Sequence, residues 1–328
     1  EQCFCVLAKD VSPEWILEGD IKGCFDHISH EWLLNNIPMD KVMLRKWLNS
    51  GFVYNSELFP TVEGTPQGGI ISPTLANMTL DGLEAVLKRR FKTHCKKGVY
   101  TSYKVHLIRY ADDFVIGVIG SKKDAEKIKE DVKIFLQEKL HLEMSEEKTK
   151  VTHSSKPVRY LGYDFKVIHS KNMKRCKNGD MKRVWYGKVF LYMPKEKWIK
   201  KAMERGAIQV KRNNDTGKEM WRPMPRKDLM NRSDAEIVST FNSEIRGLYN
   251  FYRIAENVGA LHKYYYMVRY SMLKTLAGKH RTNVSVIKKR HMVNGVLRIP
   301  YDTTKGRKYC EFYHDGFRKH SDGYDNVA

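Results

Sequence analysis

Apolar residues recur at helical spacing in four stretches of the first half of the chain, and between them they form short runs suited to strands. Helices are expected over residues 30–37, 41–50, 73–91 and 122–140. The last carries the fullest pattern: Ala125, Ile128, Val132, Phe135, Leu136 and Leu140 fall on one face, and Ser121 stands where an N-cap belongs. Strands are expected near 14–20, 104–110 and 114–119, so the first half reads as an antiparallel sheet backed by helices, an α+β arrangement. Two further strands are expected within 158–168 and 183–193, with the polar, basic stretch 170–182 as a loop between them. From Pro194 the pattern turns mostly helical, with the longest helices at about 233–256 and 258–278. Residues 211–232, with Asn213-Asn214-Asp215, Gly217 and two prolines, read as an exposed loop or insertion. From Arg298 onward the chain reads as a polar, basic and aromatic tail. No internal repeat is visible.

Three segments carry candidate chemistry. Asp112-Asp113 is an acidic pair at a turn between Ile108-Arg109-Tyr110 and Phe114-Val115-Ile116. Such a pair fits a solvated loop equally well as a site held at the rim of a sheet. Asp20 ends the apolar run Trp15-Ile16-Leu17, followed by a turn and a helix beginning near Ser29. It lies 92 residues before Asp112, so only the fold can bring the two together. Carboxylates brought together in this way suit phosphoryl or nucleotidyl transfer, in which two Mg²⁺ ions about 3.5–4 Å apart stabilise the attacking and leaving oxygens. Mg²⁺ takes oxygen ligands and keeps several waters, so two or three carboxylates plus substrate phosphates suffice. Between these two segments lies Glu63-Gly64-Thr65-Pro66-Gln67-Gly68-Gly69-Ile70-Ile71-Ser72-Pro73, whose glycines and prolines forbid a regular element before Ser72, while Pro73 suits a first helical turn. It reads either as a plain turn before a core helix or as an entrance where a ligand can approach the backbone.

In order and spacing, Asp20-Ile21-Lys22-Gly23-Cys24-Phe25-Asp26, Gly64-Thr65-Pro66-Gln67-Gly68-Gly69-Ile70-Ile71-Ser72-Pro73 and Tyr110-Ala111-Asp112-Asp113 resemble three successive palm motifs of reverse transcriptases, most closely those encoded by group II introns. Ser145-Glu146-Glu147-Lys148-Thr149-Lys150 and Tyr160-Leu161-Gly162-Tyr163-Asp164-Phe165 are similar to that family's lysine motif and primer-grip hairpin. Residues 241–277 resemble the intron maturase domain, called X or thumb. The resemblance implies a right-hand palm with partial fingers over 1–168, a linking hairpin over 169–193 and a helical thumb/maturase domain over 194–295; beyond it, residues 296–328 read from their composition as a basic tail ordered only with RNA.

The resemblance also implies roles. Asp20 and Asp112 would be the principal ligands of two Mg²⁺ ions, with Asp113 beside them, and Lys148 would neutralise or protonate the pyrophosphate leaving group. Lys148 also fits a plain solvated run of charges. Ile21, Phe25, Gln67 and Gly68 would meet the incoming nucleotide; Phe25 would be the gate against a ribose 2′-hydroxyl, although a core aromatic fits the same position. Leu161 and Gly162 would grip the primer. Arg246, Arg253, Lys263, Arg269 and Lys274 would bind RNA. The implied activity is RNA-directed DNA polymerisation on an RNA template from a DNA primer with deoxynucleoside triphosphates, together with intron RNA binding that assists splicing and mobility. The competing expectation is a splicing cofactor that keeps the palm only as an RNA-binding scaffold. About ten residues precede the first motif's strand where the family has a long fingers region, so the chain reads as truncated there.

Charge supports a nucleic-acid partner and locates it. The chain has 59 Lys and Arg against 38 Asp and Glu, a net charge of +21. Residues 1–160 hold 23 basic against 22 acidic residues, and 161–328 hold 36 against 16, so nearly all the excess lies downstream of the candidate site. Interleaved with Tyr249, Tyr252, Tyr264, Tyr265, Tyr266 and Tyr270, this basic block reads as a phosphate-binding surface with stacking partners. Helical spacing assigns many of those tyrosines to the core, so fewer than half are expected at RNA. The six cysteines form no Cys-x-x-Cys pair and read as reduced thiols rather than zinc ligands. No apolar run approaches the ~20 residues of a membrane span, and no signal peptide is visible. An intracellular place is expected, the bacterial cytoplasm or else a mitochondrion or plastid.

Overall fold

The computed structural model describes residues 2–8, 12–65, 69–90, 95–96, 99–100, 104–170, 172–176, 179–183, 187–213 and 216–320. The chain divides into two compact units that part between Phe190 and Leu191.

The first unit is built on a four-stranded antiparallel sheet. Its strands are β1 (Trp15–Gly19), β2 (Lys104–Tyr110), β3 (Asp113–Ile119) and β4 (Lys150–His153), in the order β2-β3-β1-β4. Behind it lie α1 (Ser72–Arg90) and α2 (Lys122–Leu140), with shorter helices at His30–Asn36 and Lys41–Leu48. Helix and sheet share one core, in which Leu17, Leu80, Ile116, Val118, Ile128 and Leu136 are wholly buried. Each such side chain contributes roughly 1.5–3 kcal/mol relative to exposure. The α+β class expected from the sequence is the class observed. Helix α2 has the expected bounds, and Ser121 caps it in a reciprocal box with Asp124. The expected tight turn after Asp20 contains a short helix, Cys24–His27.

A second sheet, in the order β7-β6-β5, joins β5 (Val158–Tyr160), β6 (Tyr163–His169) and β7 (Gly187–Tyr192). The stretch 170–182, expected as a loop, includes strands Met173–Arg175 and Met181–Arg183, which pair with each other.

The second unit is mostly helical, with α3 (Lys195–Glu204), α4 (Asp234–Tyr252), α5 (Leu261–Lys279) and α6 (Val284–His291). Two expectations fail here. Residues 211–232 are not a simple exposed loop: Ile208–Arg212 pairs with Glu219–Pro223, and the segment that follows buries Arg226 and Leu229. The Asn, Gly and Pro signals there mark the turn and the exit of a hairpin, not the absence of structure. Nor are residues 298–320 a loose tail. Val296–Thr303 pairs with Gly306–Glu311, and Phe312, Tyr313 and Phe317 are buried. The buried amide of Asn242 on α4 holds this end, donating to the Glu311 carbonyl (2.7 Å) and accepting from the Tyr313 N–H (2.8 Å). Basic residues on the exposed sides of the hairpin hid the apolar residues that anchor it. Among the described residues, no helix is long and apolar enough to cross a membrane.

Candidate polymerase site

The sheet register assembles the site. β1 pairs with β3 from Trp15↔Val118 to Gly19↔Phe114, and continuing that register one residue sets Asp20 across from Asp113. β1 pairs with β4 from Trp15↔His153 to Glu18↔Lys150, and the chain just ahead of β4 makes a turn at 146–148. That turn brings Ser145 against Asp20, since the Ser145 N–H donates to the Asp20 carbonyl (2.8 Å), the Thr149 N–H donates to the Ser145 carbonyl (2.9 Å) and Ile21 bridges Met144. Lys148 Nζ then lies 3.0 Å from Asp20 Oδ2. At Gly19 no side chain fits, since an added Cβ would come within 2.1 Å of the Phe114 ring.

Asp112 and Asp113 stand at the two-residue turn closing β2 and β3, where Tyr110 pairs with Asp113 and Ala111 has φ 54°. A positive φ at the first central position suits the primed turns that join twisted strands. Burial raises the Asp113 pKa, the charges of Asp112 and Asp20 raise it further, and Lys148 opposes them. The Lys148 pKa is raised by its hydrogen bond to Asp20 and then by the surrounding carboxylates, so the ammonium stays charged. Buried Cys24 registers the same field: burial, then Asp112, push its thiol up to about 12. Three carboxylates thus share one electrostatic neighbourhood, with the Lys148 ammonium against them.

Among the described residues, no three His, Cys, Asp or Glu side chains converge into a ready-made metal cage. Mg²⁺ does not need one, since one or two carboxylates with waters and substrate phosphates complete its shell. The hard-oxygen donor set, and mutual repulsion that a cation would relieve, fit a divalent metal.

The remaining expected residues fall as follows. Ile21 is buried in the core, so only its backbone is left to face a nucleotide. Phe25 is half-buried against the core, and its carbonyl accepts the Thr65 N–H (2.6 Å), which brings the glycine-rich segment against the Asp20–Phe25 turn. Gly64 (φ 75°) makes that approach possible, because a Cβ there would meet the Phe25 and Asp26 carbonyl oxygens at 2.5 Å. Gln67 and Gly68 lie outside the described residues. Leu161 and Gly162 form the β5–β6 turn with φ of 48° and 81°, and Leu161 is 40% exposed. An apolar residue both exposed and in the left-handed region is uncommon, which fits a functional tip.

Sequence reasoning missed Glu18, Arg109 and Tyr160. Glu18 accepts the Arg159 N–H (3.1 Å) and the Thr152 hydroxyl (3.2 Å), tying the strand of Asp20 to the Leu161 hairpin. Tyr160 has its pKa raised by burial and by neighbouring negative charge that includes Asp113. Arg109 donates to the Ala111 carbonyl and to α1. The available signal for Glu18 and Arg109 was a charge inside an apolar strand, which requires a partner.

In the second unit Arg246, Arg253 and Lys263 are exposed. Arg269 is half-buried beside Met292, and Lys274 Nζ is engaged internally on the Pro223 carbonyl (2.8 Å). Of the six tyrosines, Tyr252 and Tyr264 are buried, and the hydroxyls of Tyr249 and Tyr265 donate to the carbonyls of Arg318 and Tyr313. Tyr266 is exposed and pairs with Tyr270, over which Lys288 Nζ sits at 4.8 Å.

Sheet, helices and carboxylate rim define a reverse-transcriptase-like palm. Residues 3–165 match the family described as reverse transcriptase (RNA-dependent DNA polymerase), and residues 186–314 match type II intron maturase. The chain is 34% identical to group II intron-encoded protein LtrA of Lactococcus lactis subsp. cremoris, over 90% of this chain and 58% of that protein. It is 28% identical to the putative COX1/OXI3 intron 1 protein of Saccharomyces cerevisiae, over 89% of this chain and 42% of the relative. A solved telomerase from Candida Tropicalis overlaps 84% of this chain and 40% of its own at 13% identity and a TM-score of 0.36, a likeness too distant to carry an argument. The chain belongs to the reverse transcriptase and maturase family encoded by group II introns. It spans little more than half the length of the Lactococcus relative.

Proposed function

We propose that this chain is the palm-and-maturase part of an RNA-directed DNA polymerase that also binds its intron RNA to assist splicing and mobility. The observation that carries the reading is Asp20, Asp112 and Asp113 gathered at one end of the sheet with Lys148 on Asp20. Asp20 and Asp112 would hold two Mg²⁺ ions, with Asp113 assisting. Bound there, such ions would supply activation of the primer 3′-hydroxyl and charge stabilisation at the pyrophosphate leaving group. Lys148, exposed and charged, would turn from Asp20 to that leaving group and neutralise it or give it a proton. Phe25 would exclude a 2′-hydroxyl, with Gln67, Gly68 and the Ile21 backbone lining the nucleotide. Leu161 and Gly162 would hold the primer end. Arg246, Arg253, Lys263 and Arg269 would contact RNA phosphates; Lys274 is kept as a weaker candidate, since its ammonium is already engaged. The proposed partners are intron RNA, an RNA template with DNA primer, and deoxynucleoside triphosphates. The proposed place is the bacterial cytoplasm, one relative coming from a bacterium, or else a mitochondrion or plastid.

The test is primer extension on an RNA template with Mg²⁺, beside a salt series of intron RNA binding. Extension above background, with affinity falling linearly in log salt, is the expected result. Tight, salt-sensitive binding with no extension would instead establish an RNA-binding scaffold.

A further inference from the structure

Arg109 lies in β2 between buried Ile108 and exposed Tyr110, and its own side chain is only 15% exposed. Its Nη1 donates to Asn77 Oδ1 (2.8 Å) and to the Ala111 carbonyl (3.2 Å). Its Nη2 donates to Asp81 Oδ1 (2.6 Å) and to the Asn77 carbonyl (3.4 Å). Asn77 and Asp81 are one turn apart on α1 and share a face. Ala111 is the first residue of the turn that carries Asp112, and its carbonyl belongs to the rigid peptide plane joining the two. One planar group therefore holds acceptors on the helix and on the turn.

Its charge is placed with equal economy. Arg109 lowers the pKa of Cys24 and of Tyr160, so it stands within the field of the carboxylates. Yet among the described residues it makes no hydrogen bond to Asp112 or Asp113, and the oxygens of both are left for other ligands. As an ion pair alone the contact would matter little, since Asp81 is 69% exposed and solvent screens it. The geometry toward Ala111 is what an ion pair would not require.

We propose that Arg109 is a positioning residue that ties the Asp112–Asp113 turn to α1, the helix that follows the glycine-rich motif in the sequence. The nucleotide-side helix and the carboxylate turn are thereby held in one register. This rests on the polymerase reading for its consequence, but not for its geometry.

The full chain is compared with Arg109→Ala, Arg109→Lys and the double variant Asn77→Ala/Asp81→Ala. Three readouts are hydrogen exchange of the Asp112–Phe114 amides against those of α2, kcat and KM for deoxynucleotide, and template-primer affinity. In Arg109→Ala, turn exchange is expected to quicken while α2 is unchanged, and kcat to fall about 10- to 100-fold at unchanged template-primer affinity. Arg109→Lys is not expected to restore either, because one ammonium cannot span both sets of acceptors. The double variant, which keeps Arg109 itself, is expected to loosen the turn likewise, and it carries the test should Arg109→Ala fail to fold. Unchanged turn exchange, full rescue by lysine, or a double variant identical to the parent would overturn the proposal. Should the parent chain extend no primer, the polymerase reading falls, while turn exchange still decides the role of Arg109.

Discussion

The ring of Phe25 rests against the core with its backbone bound to Thr65, so it can serve packing and a nucleotide pocket together. Phe25→Ala is expected to raise ribonucleotide incorporation relative to deoxynucleotide, with a modest loss of stability because the ring is only half-buried. Incorporation ratios measured in competition would check this, and an unchanged ratio would leave Phe25 as a core residue alone. At this scale the sequence exposed the carboxylates, since Asp20, Asp112 and Asp113 interrupt apolar runs. It concealed the work of Glu18 and Arg109, whose partners Arg159 and Asn77 are set by strand and helix placement and not by spacing along the chain.

Helix α4 begins with Ser233 in a reciprocal cap with Glu236, and its first residue, Asp234, reaches the far end of α5. Lys279 Nζ lies 2.6 Å from Asp234 Oδ1 and His280 Nε2 lies 2.7 Å from Oδ2. Burial works to raise the Asp234 pKa, but these two hydrogen bonds outweigh it and bring it below the ordinary 3.8. A depressed folded pKa gives stability that is present above the ordinary value and is lost as pH falls through the folded one. Asp234→Asn is therefore expected to cost about 1–2 kcal/mol at neutral pH, with the difference from the parent vanishing in acid below the folded value. Thermal unfolding across pH would show it, and a difference that persists there would mean that the carboxylate charge is not responsible. Elements with full periodicity, such as α2 and its Ser121 cap, were legible from sequence. The hairpins Ile208–Arg212/Glu219–Pro223 and Val296–Thr303/Gly306–Glu311 were not, because their strands carry Lys and Arg on open faces and only a few inward residues reveal the pairing.

Across the whole molecule the two kinds of chemistry are separated along the chain. Residues 1–160 are nearly neutral and carry the carboxylates, while 161–328 carry almost all the basic excess. Catalysis and RNA affinity should then be separable by substitution. The decisive measurement is the rate of deoxynucleotide addition by Asp112→Asn beside the parent chain, with intron RNA affinity measured on the same preparations. Addition should fall about 100- to 1000-fold, as expected when the cations that stabilise transition-state charge lose a ligand, while RNA affinity stays within about twofold, since log affinity follows the phosphate contacts made elsewhere. Addition by Asp112→Asn at a rate near the parent's would contradict the assignment of the carboxylate rim as the catalytic centre.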